Sequence, residues 1–313
     1  MDLNRMLSKC REGQWRTEDL DWNRPPPEMS PEKEMAVVQY FTDMAGIERL
    51  AAALFEEQQS RAEDPVLAEI FRTFVEDEKR HARCAELLAA HYDVHRLKQY
   101  RQNPVLLEFG HHFVRTLRYL SAEVATVYVT VGELLLDVAL LRSIDAFVDD
   151  PMSSEVMARI NRDESRHIAM DFYMTEYYAS PEYLAWLERQ PKPSARQLTE
   201  AFWAFSQLSL HARPFLRAIF LDPMEAVDPA GERIAEAFAR YQALIDRPSV
   251  RHRPIPRIIH GTQWLASRPR MTPVAERVAR VIGLPRQLLF PARRPSKPSA
   301  DAVRGAAAEV RVA

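Results

Sequence analysis

The five-residue pattern Asp-Glu-x-Arg-His occurs twice in this chain, beginning at Asp77 and at Asp163. In an α-helix, residues three positions apart lie on the same face, so the Glu and the His of one copy can bind the same ion. Carboxylate oxygens and imidazole nitrogens are common ligands of divalent metal ions in proteins. The repeat therefore predicts a metal site with two similar halves, formed by Glu78 with His81 and by Glu164 with His167.

Two neighbouring metal ions need more carboxylate ligands than these side chains supply. When two helices pack as an antiparallel hairpin, residues at the same height have numbers that average to the middle of the loop between them. By that arithmetic Glu48 lies level with Glu78, and Glu133 lies level with Glu164. Apolar positions surround Glu48 and Glu133 on their own helices, and an isolated buried carboxylate needs a partner. We therefore predict that Glu48 and Glu133 complete the site.

The charges of this set also fit two metal ions. Four carboxylates and two neutral imidazoles balance two divalent cations, and a mixed oxygen and nitrogen set suits iron or manganese better than a thiolate-preferring metal. Each Asp of the pattern is expected to accept the N–H of an imidazole from the other copy. The expected pairs are Asp77 with His167 and Asp163 with His81. Arg80 and Arg166 would tie both acids into a buried network. The alternative is that these groups form only structural salt bridges between helices.

The amino-acid composition and the residues typical of helix N-termini, called start signals below, predict an all-α fold. The chain has 313 residues, is 47% apolar, contains only 8 glycines and is rich in helix-forming Ala, Leu, Glu and Arg. Ser30-Pro31, Asp64-Pro65 and Asp150-Pro151 each combine an N-cap residue with a proline suited to the first helical position. Four long helices are predicted, over residues 31–62, 65–92, 121–148 and 151–180.

The order of these elements indicates two related helical hairpins. Asp64-Pro65 and Asp150-Pro151 each precede the repeated pattern by 13 residues, which points to an internal duplication. A shorter helical segment within residues 95–120 would carry the chain from the second long helix to the third. Further helices are predicted at 194–222, 229–246 and 272–283. The expected regions are a bundle with its lead-in at 1–193, additional helices at 194–290 and a disordered basic tail at 291–313.

The order Glu48, Glu78-x-x-His81, Glu133, Glu164-x-x-His167 resembles the ferritin-like non-haem di-iron carboxylate superfamily over about residues 31–180. The resemblance implies a ferritin-like four-helix bundle with a crossover between its second and third helices. It also implies one iron held by Glu48, Glu78 and His81, and another held by Glu133, Glu164 and His167, with Glu78 and Glu164 bridging. The repeated pattern looks most like the O2-activating members, the bacterial multicomponent monooxygenases and the acyl-carrier-protein desaturases.

Three positions narrow the choice within the superfamily. The radical-storing small subunit of ribonucleotide reductase has a Tyr where this chain has Ala85, and the arylamine N-oxygenases have an additional His where it has Ile160. Many hydroxylases place a Thr where this chain has Asp137. The resemblance implies an O2-dependent oxidoreductase of hydroxylase, desaturase or N-oxygenase type, with two iron ions (Fe/Fe or Mn/Fe) and O2 as co-substrate. A ferroxidase or iron-handling protein is the alternative.

Apolar residues near the predicted site are candidates for the wall of a substrate pocket, although a residue of this kind more often belongs to the core. They are Met44, Phe55, Phe71, Phe74, Val129, Leu136, Met157 and Ile160. The implied reaction requires a small-molecule or carrier-protein-bound substrate and an external electron donor.

Charge and composition bear on partners and compartment. Residues 248–313 hold 13 Lys or Arg and 3 Asp or Glu, and Arg251, Arg253 and Arg257 begin this basic region. It suits an anionic partner such as an acyl carrier protein, although a solvated tail would have the same composition.

The 2 cysteines and the lack of an apolar signal near the N-terminus predict a cytoplasmic protein. We expect no nucleic-acid partner. We also expect no transmembrane segment, because no run of apolar residues reaches ~18. The sequence leaves open whether the protein forms a homodimer.

Overall fold

The computed structural model describes residues 1–96, 100–119, 121–281 and 284–291. Within these residues the chain is all-α, with helices and connecting loops and no β-strand, which confirms the all-α part of the predicted fold. The tail predicted at 291–313 lies outside the described residues except for its first position, and so does the end of the helix predicted at 272–283. The proposed division into three regions stays a prediction.

The helices are numbered here in chain order. The first six are α1 (Leu3–Glu12), α2 (Pro31–Arg61), α3 (Pro65–Tyr92), α4 (Pro104–Leu117), α5 (Ala122–Val148) and α6 (Pro151–Tyr178). The later ones are α7 (Pro181–Glu188), α8 (Ala195–Phe215, continued by Leu216–Leu221 and Asp222–Val227), α9 (Glu232–Ile245), α10 (Pro254–Ala266), α11 (Thr272–Val281) and α12 (Arg286–Leu289).

The predicted start signals act as expected at the N-termini of the long helices. The side chains of Ser30, Asp64 and Asp150 accept hydrogen bonds from backbone N–H groups in the first turns of α2, α3 and α6. Each of these helices has Pro at its first position, where the missing N–H costs nothing because it would have no intrahelical partner. Asn103 starts α4 in the same way. Short polar side chains followed by proline therefore fix where these helices begin.

The four long helices pack around one interior. α2 packs along α3 as an antiparallel hairpin, because only a three-residue connection joins them, and α5 packs on α6. Contacts of α3 with α6 and of α2 with α5 bring the two pairs together. α4, which follows α3, packs on α2 and α8, and the later helix α9 packs on the middle of α5.

Two clusters of buried apolar side chains lie on either side of a polar layer in these helices. The first cluster contains Met44, Leu88, Leu136 and Ile160, one from each long helix. The second cluster contains Phe55, Phe74, Val129 and Met170, again one from each. Every predicted metal-binding side chain falls between these positions along its own helix. The polar layer is therefore sealed from both ends of the helices by packed apolar groups.

The middle of α5 departs from regular α-helix. Leu134–Leu141 form a π-helical segment in which all eight residues are buried, directly after Glu133. The sequence predicts an uninterrupted helix here, because a π segment has no signature in apolar periodicity. Among the described residues, α5 is also long and apolar enough by composition to cross a membrane, but 72% of that stretch is buried inside the protein. The core helix of a soluble protein passes the same test.

One buried hydrogen bond connects the end of α3 to the start of α6. Tyr92 Oη donates to Asp150 Oδ2 at 2.6 Å, and the Tyr92 ring stacks on Phe41 with 5.8 Å between centroids. The same Asp150 oxygen accepts the backbone N–H of Met152 at 3.0 Å. Tyr92 therefore supports the N-cap of α6 from a neighbouring helix.

Replacing Tyr92 with Phe is expected to lower the free energy of unfolding by about 1–3 kcal/mol, because Asp150 then loses a buried hydrogen bond. The midpoint of urea unfolding measures the loss. Tyr100→Phe is the matched control, because Tyr100 Oη donates to Asp93 Oδ2 at 2.8 Å while half of Tyr100 is exposed. Equal losses in the two variants would contradict the role given to Tyr92.

Candidate metal centre

Six side chains of the polar layer meet in the middle of the long helices. All are buried; Glu133 is 3% exposed and the others are fully inaccessible. They are Glu48 on α2, Glu78 and His81 on α3, Glu133 on α5, and Glu164 and His167 on α6. The antiparallel pairing of α2 with α3 explains why Glu48 reaches the height of Glu78 although 30 residues separate them in the sequence.

These side chains form two groups in which the ligand atoms all lie within 4.8 Å of one another. One group contains Glu48, Glu78, His81 and Glu164, and the other contains Glu78, Glu133, Glu164 and His167. Glu78 and Glu164 belong to both groups. Each group could hold one metal ion, and the shared carboxylates lie where ligands common to two ions would have to be.

The Nδ1 atoms of both imidazoles face the carboxylates. His81 Nδ1 lies 3.0 Å from Glu164 Oε1, and His167 Nδ1 lies 3.0 Å from Glu78 Oε1. Each histidine thus points its Nδ1 at the glutamate of the other helical hairpin. His167 Nδ1 also lies 3.1 Å from Glu164 Oε2 on its own helix, and the two imidazole rings are 6.1 Å apart between centroids.

The Nε2 atoms of the same imidazoles face the two aspartates of the repeated pattern. His81 Nε2 lies 3.0 Å from Asp163 Oδ2, and His167 Nε2 lies 3.4 Å from Asp77 Oδ2. This is the crossed pairing that the sequence predicts. A carboxylate can only accept from the imidazole, so each Nε2 carries a proton and each Nδ1 faces the carboxylate cluster, where a bound metal ion would take the place of the Nδ1 proton.

Two arginines join the aspartates into a buried ring of charges. Arg80 Nη2 contacts Asp77 and lies 3.2 Å from Asp163 Oδ2. Arg166 Nη2 lies 2.5 Å from Asp163 Oδ1 and 3.4 Å from Asp77 Oδ2. Each arginine therefore bridges both acids. This arrangement holds the aspartates ionised beside the histidines, since the charged form of each acid has paired donors on two sides.

The N-terminal segment before α2 completes this ring through contacts that no sequence pattern predicts. Trp15 Nε1 donates to Asp163 Oδ2 at 2.8 Å, and Gln14 Nε2 donates to Asp77 Oδ1 at 2.9 Å. The guanidinium of Arg80 lies 4.8 Å from the centre of the Trp15 ring. Residues 14 and 15 precede the long helices and belong to no periodic pattern, so no local signal shows where they dock.

The protonation of the site reflects its burial. Burial raises the pKa values of Glu48 and Glu133 well above the usual range, and the neighbouring carboxylates raise them further. Burial lowers the pKa of His81, but contacts with Asp163 and Glu164 outweigh this and raise it to about 9. Glu48, Glu133 and the two imidazoles therefore retain protons in place of other positive charge. This is the behaviour expected of a cluster that favours cations at its centre.

Several oxygens of the cluster have no hydrogen-bond partner in the described part of the chain. They are both oxygens of Glu48, both oxygens of Glu78, Glu133 Oε2 and Glu164 Oε1. The 3.0 Å contacts of Glu78 Oε1 with His167 Nδ1 and of Glu164 Oε1 with His81 Nδ1 are not aligned as hydrogen bonds, whereas Glu164 Oε2 lies 3.1 Å from His167 Nδ1 in hydrogen-bond geometry. Each unsatisfied buried polar group costs about 1–3 kcal/mol. Cations held between these oxygens and the two Nδ1 atoms would satisfy all of them, so the residues fit a pair of divalent metal ions.

Two further buried acids lie near the cluster. Asp137, in the π-helical segment, is 4% exposed and its Oδ1 has no partner among the described residues. Burial, with a contribution from the charge of Glu164, raises the pKa of Asp137 to about 7. Asp171 lies one helical turn after His167, and burial raises its pKa well above the usual range. Asp171 is not among the residues predicted for the site, although its position on the inward face of α6 follows from its spacing to His167.

An apolar cavity of about 550 Å³ reaches Glu133 from the side of the later helices. Its described walls come from α2, α4 and α5 on one side and from α8, α9, α10, α11 and α12 on the other. Gly132 also lines it, and a Cβ built on Gly132 would meet nothing within 4 Å. The cavity therefore adjoins the carboxylate cluster at the one glutamate that is not fully inaccessible.

The residues predicted for the substrate wall divide into two sets. Val129 and Leu136 line the cavity. Met44, Phe55, Phe71, Phe74, Met157 and Ile160 are buried in the two apolar clusters and do not line it. Phe55 and Phe74 instead pack against the ring of His167, with centroids 5.3 Å and 4.1 Å away. Helical periodicity identifies inward positions, but it cannot show on which side neighbouring helices leave space.

No protein-family model, curated protein or solved structure matches this chain.

The orphaned oxygens of Glu48 lead to a prediction about stability. Glu48→Met in the metal-free protein is expected to raise the free energy of unfolding by about 1–3 kcal/mol, because it removes buried oxygens that have no partner. The same change should reduce the metal bound per chain. Thermal unfolding of the chelator-treated protein and elemental analysis of the loaded protein measure the two effects.

Glu34→Met is the matched control for this prediction. Glu34 is equally buried, at 2% exposure, but its carboxylate accepts the backbone N–H of His95 at 2.8 Å and contacts His95 Nδ1 at 2.7 Å. Its replacement should therefore destabilise the protein and leave metal binding unchanged. If Glu48→Met destabilised the metal-free protein as much as Glu34→Met, the glutamate would be a structural salt-bridge partner instead.

Proposed function

We propose that this chain is an O2-dependent, non-haem di-iron oxidoreductase that acts on an organic substrate. In this proposal Glu48, Glu78 and His81 hold one iron, and Glu133, Glu164 and His167 hold the other, with Glu78 and Glu164 bridging. The long helices α2, α3, α5 and α6 then correspond to a ferritin-like bundle, with α4 in the crossover. The metal-ligand set and the bundle topology both rest on the resemblance together with the convergence of these side chains.

The bound ferrous ions would supply the electrons that reduce O2 to an oxidant able to attack an organic molecule. The protein's own contribution is positioning. Asp77 and Asp163 accept hydrogen bonds from Nε2 of the two histidines and so keep both Nδ1 atoms aimed into the cluster. Arg80 and Arg166 keep these aspartates ionised. The apolar clusters on both sides exclude water from the carboxylates.

Asp137 is the proposed site of proton exchange. Its carboxyl is buried one turn after Glu133, and its raised pKa of about 7 means that it can hold or release a proton near neutral pH. Its Oδ1 has no competing hydrogen-bond partner among the described residues. Asp137 would therefore occupy the functional place of the Thr found in many hydroxylases of this kind.

The single observation that carries the enzyme proposal is the apolar cavity beside Glu133. Its volume of about 550 Å³ fits an organic molecule, and its wall is made mostly of aliphatic and aromatic side chains. An iron-handling protein needs a polar route that attracts ferrous ions to the cluster, whereas the wall of this cavity is mostly apolar. We infer a substrate with a largely uncharged, apolar body, oxidised at a position that reaches Glu133.

The carboxylate cluster by itself also suits the second candidate, a ferroxidase or iron-handling protein. We propose two iron ions as the metal pair, with Mn/Fe as the alternative, because both pairs suit the same oxygen and nitrogen ligands. An external electron donor would be required for repeated turnover. A carrier-bound substrate would meet the basic region, where Arg251 and Arg257 are exposed while Arg253 already pairs with Glu123.

Rapid mixing with O2 separates the two candidate functions. Anaerobic protein loaded with two ferrous ions per chain should react once, consume no further iron, and show an absorbance transient that decays faster when an apolar substrate is present. A ferroxidase would continue to oxidise added iron and would ignore organic compounds. Oxidation of many irons per chain at an undiminished rate would therefore refute the oxygenase proposal.

Gly132 allows the role of the cavity to be tested without touching a ligand. Gly132→Phe should place its ring in the open space and weaken binding of the neutral dye N-phenyl-1-naphthylamine by at least about tenfold, which corresponds to ~1.4 kcal/mol. Gly132→Ala is the control and should leave dye binding unchanged. Both variants should keep the iron content of the unaltered protein. Undiminished dye binding in Gly132→Phe would show that the cavity is not the binding site.

A further inference from the structure

A second group of potential metal ligands lies outside the central cluster, between α4 and α8. Glu108 Oε1 is 3.3 Å from His112 Nε2 and 3.6 Å from His211 Nε2. The ligand atoms of all three side chains lie within 4.8 Å of one another. Glu108 is exposed, and the two histidines are partly buried. Nothing in the proposed oxidation reaction uses these residues.

The orientation of His211 is informative. Its Nδ1 lies 2.8 Å from the backbone carbonyl of Gln207, and a carbonyl can only accept, so Nδ1 carries the proton. In the neutral imidazole Nε2 then presents a lone pair toward the carboxylate of Glu108. Two acceptors facing each other repel, and a cation between them would turn the repulsion into attraction. A backbone carbonyl that fixes the tautomer in this way is a common companion of metal-binding histidine.

Glu108 and His111 also have the Glu-x-x-His spacing, but His111 is not the histidine that faces Glu108. His111 is exposed, whereas His112, four positions after Glu108, lies beside the carboxylate and stacks on His211 with 4.3 Å between ring centroids. Residues four apart share a face of the helix, as do residues three apart. His211 comes from a helix about 100 residues later in the chain, so its approach cannot be read from the sequence.

We propose that Glu108, His112 and His211 form a binding site for one divalent ion of the zinc class. Two imidazole nitrogens and one carboxylate oxygen are the protein ligands typical of such ions, and the exposed side of the site leaves room for water in the remaining position. Magnesium and calcium prefer sites made of oxygen alone. The proposal stands on these three residues and does not depend on the function of the central cluster.

A bound ion would clamp two helices that form one wall of the apolar cavity. Phe109 and Phe113 on α4 line the cavity beside Phe215 of α8, and the rings of Phe109 and Phe215 stack with 3.9 Å between centroids. Glu108 and His112 adjoin these phenylalanines in the sequence of α4. The ion would hold α4 and α8 together beside the cavity, and it would stabilise the folded protein because it binds only when both helices are in place.

Zinc binding to the full chain tests the proposal. The number of Zn²⁺ ions per chain is measured by equilibrium dialysis with elemental analysis, for the unaltered protein and for His112→Gln, His211→Gln and the matched control His111→Gln. The unaltered protein and the control should bind one more ion than His112→Gln and His211→Gln, whose affinity at this site should fall by at least about tenfold. Added Zn²⁺ should also raise the unfolding temperature less in these two variants.

The outcomes separate this site from the central one. Glu48→Met should lose central metal but keep the ion that His211→Gln loses. If the central cluster bound no metal at all, the unaltered protein would still bind one Zn²⁺ and His211→Gln none. Equal zinc content in all four proteins, with equal shifts of the unfolding temperature, would overturn the proposal.

Discussion

Four carboxylates and two imidazoles are buried together in this protein. The folded state is stable only if positive charge lies close enough to offset the cost of burying the carboxylates. Removing an ionised carboxylate from water costs several kcal/mol even after the protein relaxes. Six oxygens of the cluster have no hydrogen bond within the described residues, so neighbouring donors do not compensate that cost. Protons compensate part of it, as the raised pKa values of Glu48 and Glu133 indicate. Divalent cations would compensate it more completely.

The rest of the interior is organised around this requirement. The two apolar clusters keep water away from the polar layer and so strengthen every electrostatic interaction inside it. The ring of Asp77, Asp163, Arg80 and Arg166 fixes the imidazoles from outside, and Trp15 and Gln14 close that ring with the N-terminal segment. An apolar cavity reaches the cluster at Glu133. A site so enclosed can exchange with its surroundings mainly from that side.

The sequence predicts the parts of this architecture that depend on local rules. Proline after Ser30, Asp64 or Asp150 marks where the long helices start. The short loop between α2 and α3 fixes which residues of the antiparallel pair lie at the same height, so residue numbers alone place Glu48 beside Glu78. The crossed Asp and His pairs follow from the symmetry of the repeat. Other features need the tertiary structure. Trp15 docks from a segment without periodicity, and the cavity depends on how α8 to α12 lie over α5.

The most direct test of this account is a crystal structure of metal-loaded protein measured at the iron and manganese absorption edges. The account predicts two anomalous peaks inside the polar layer. One should lie ~2 Å from an oxygen of Glu48 and from His81 Nδ1, and the other ~2 Å from an oxygen of Glu133 and from His167 Nδ1. Anomalous peaks confined to the surface, or Glu48 and Glu133 turned away from any bound ion, would contradict the central claim.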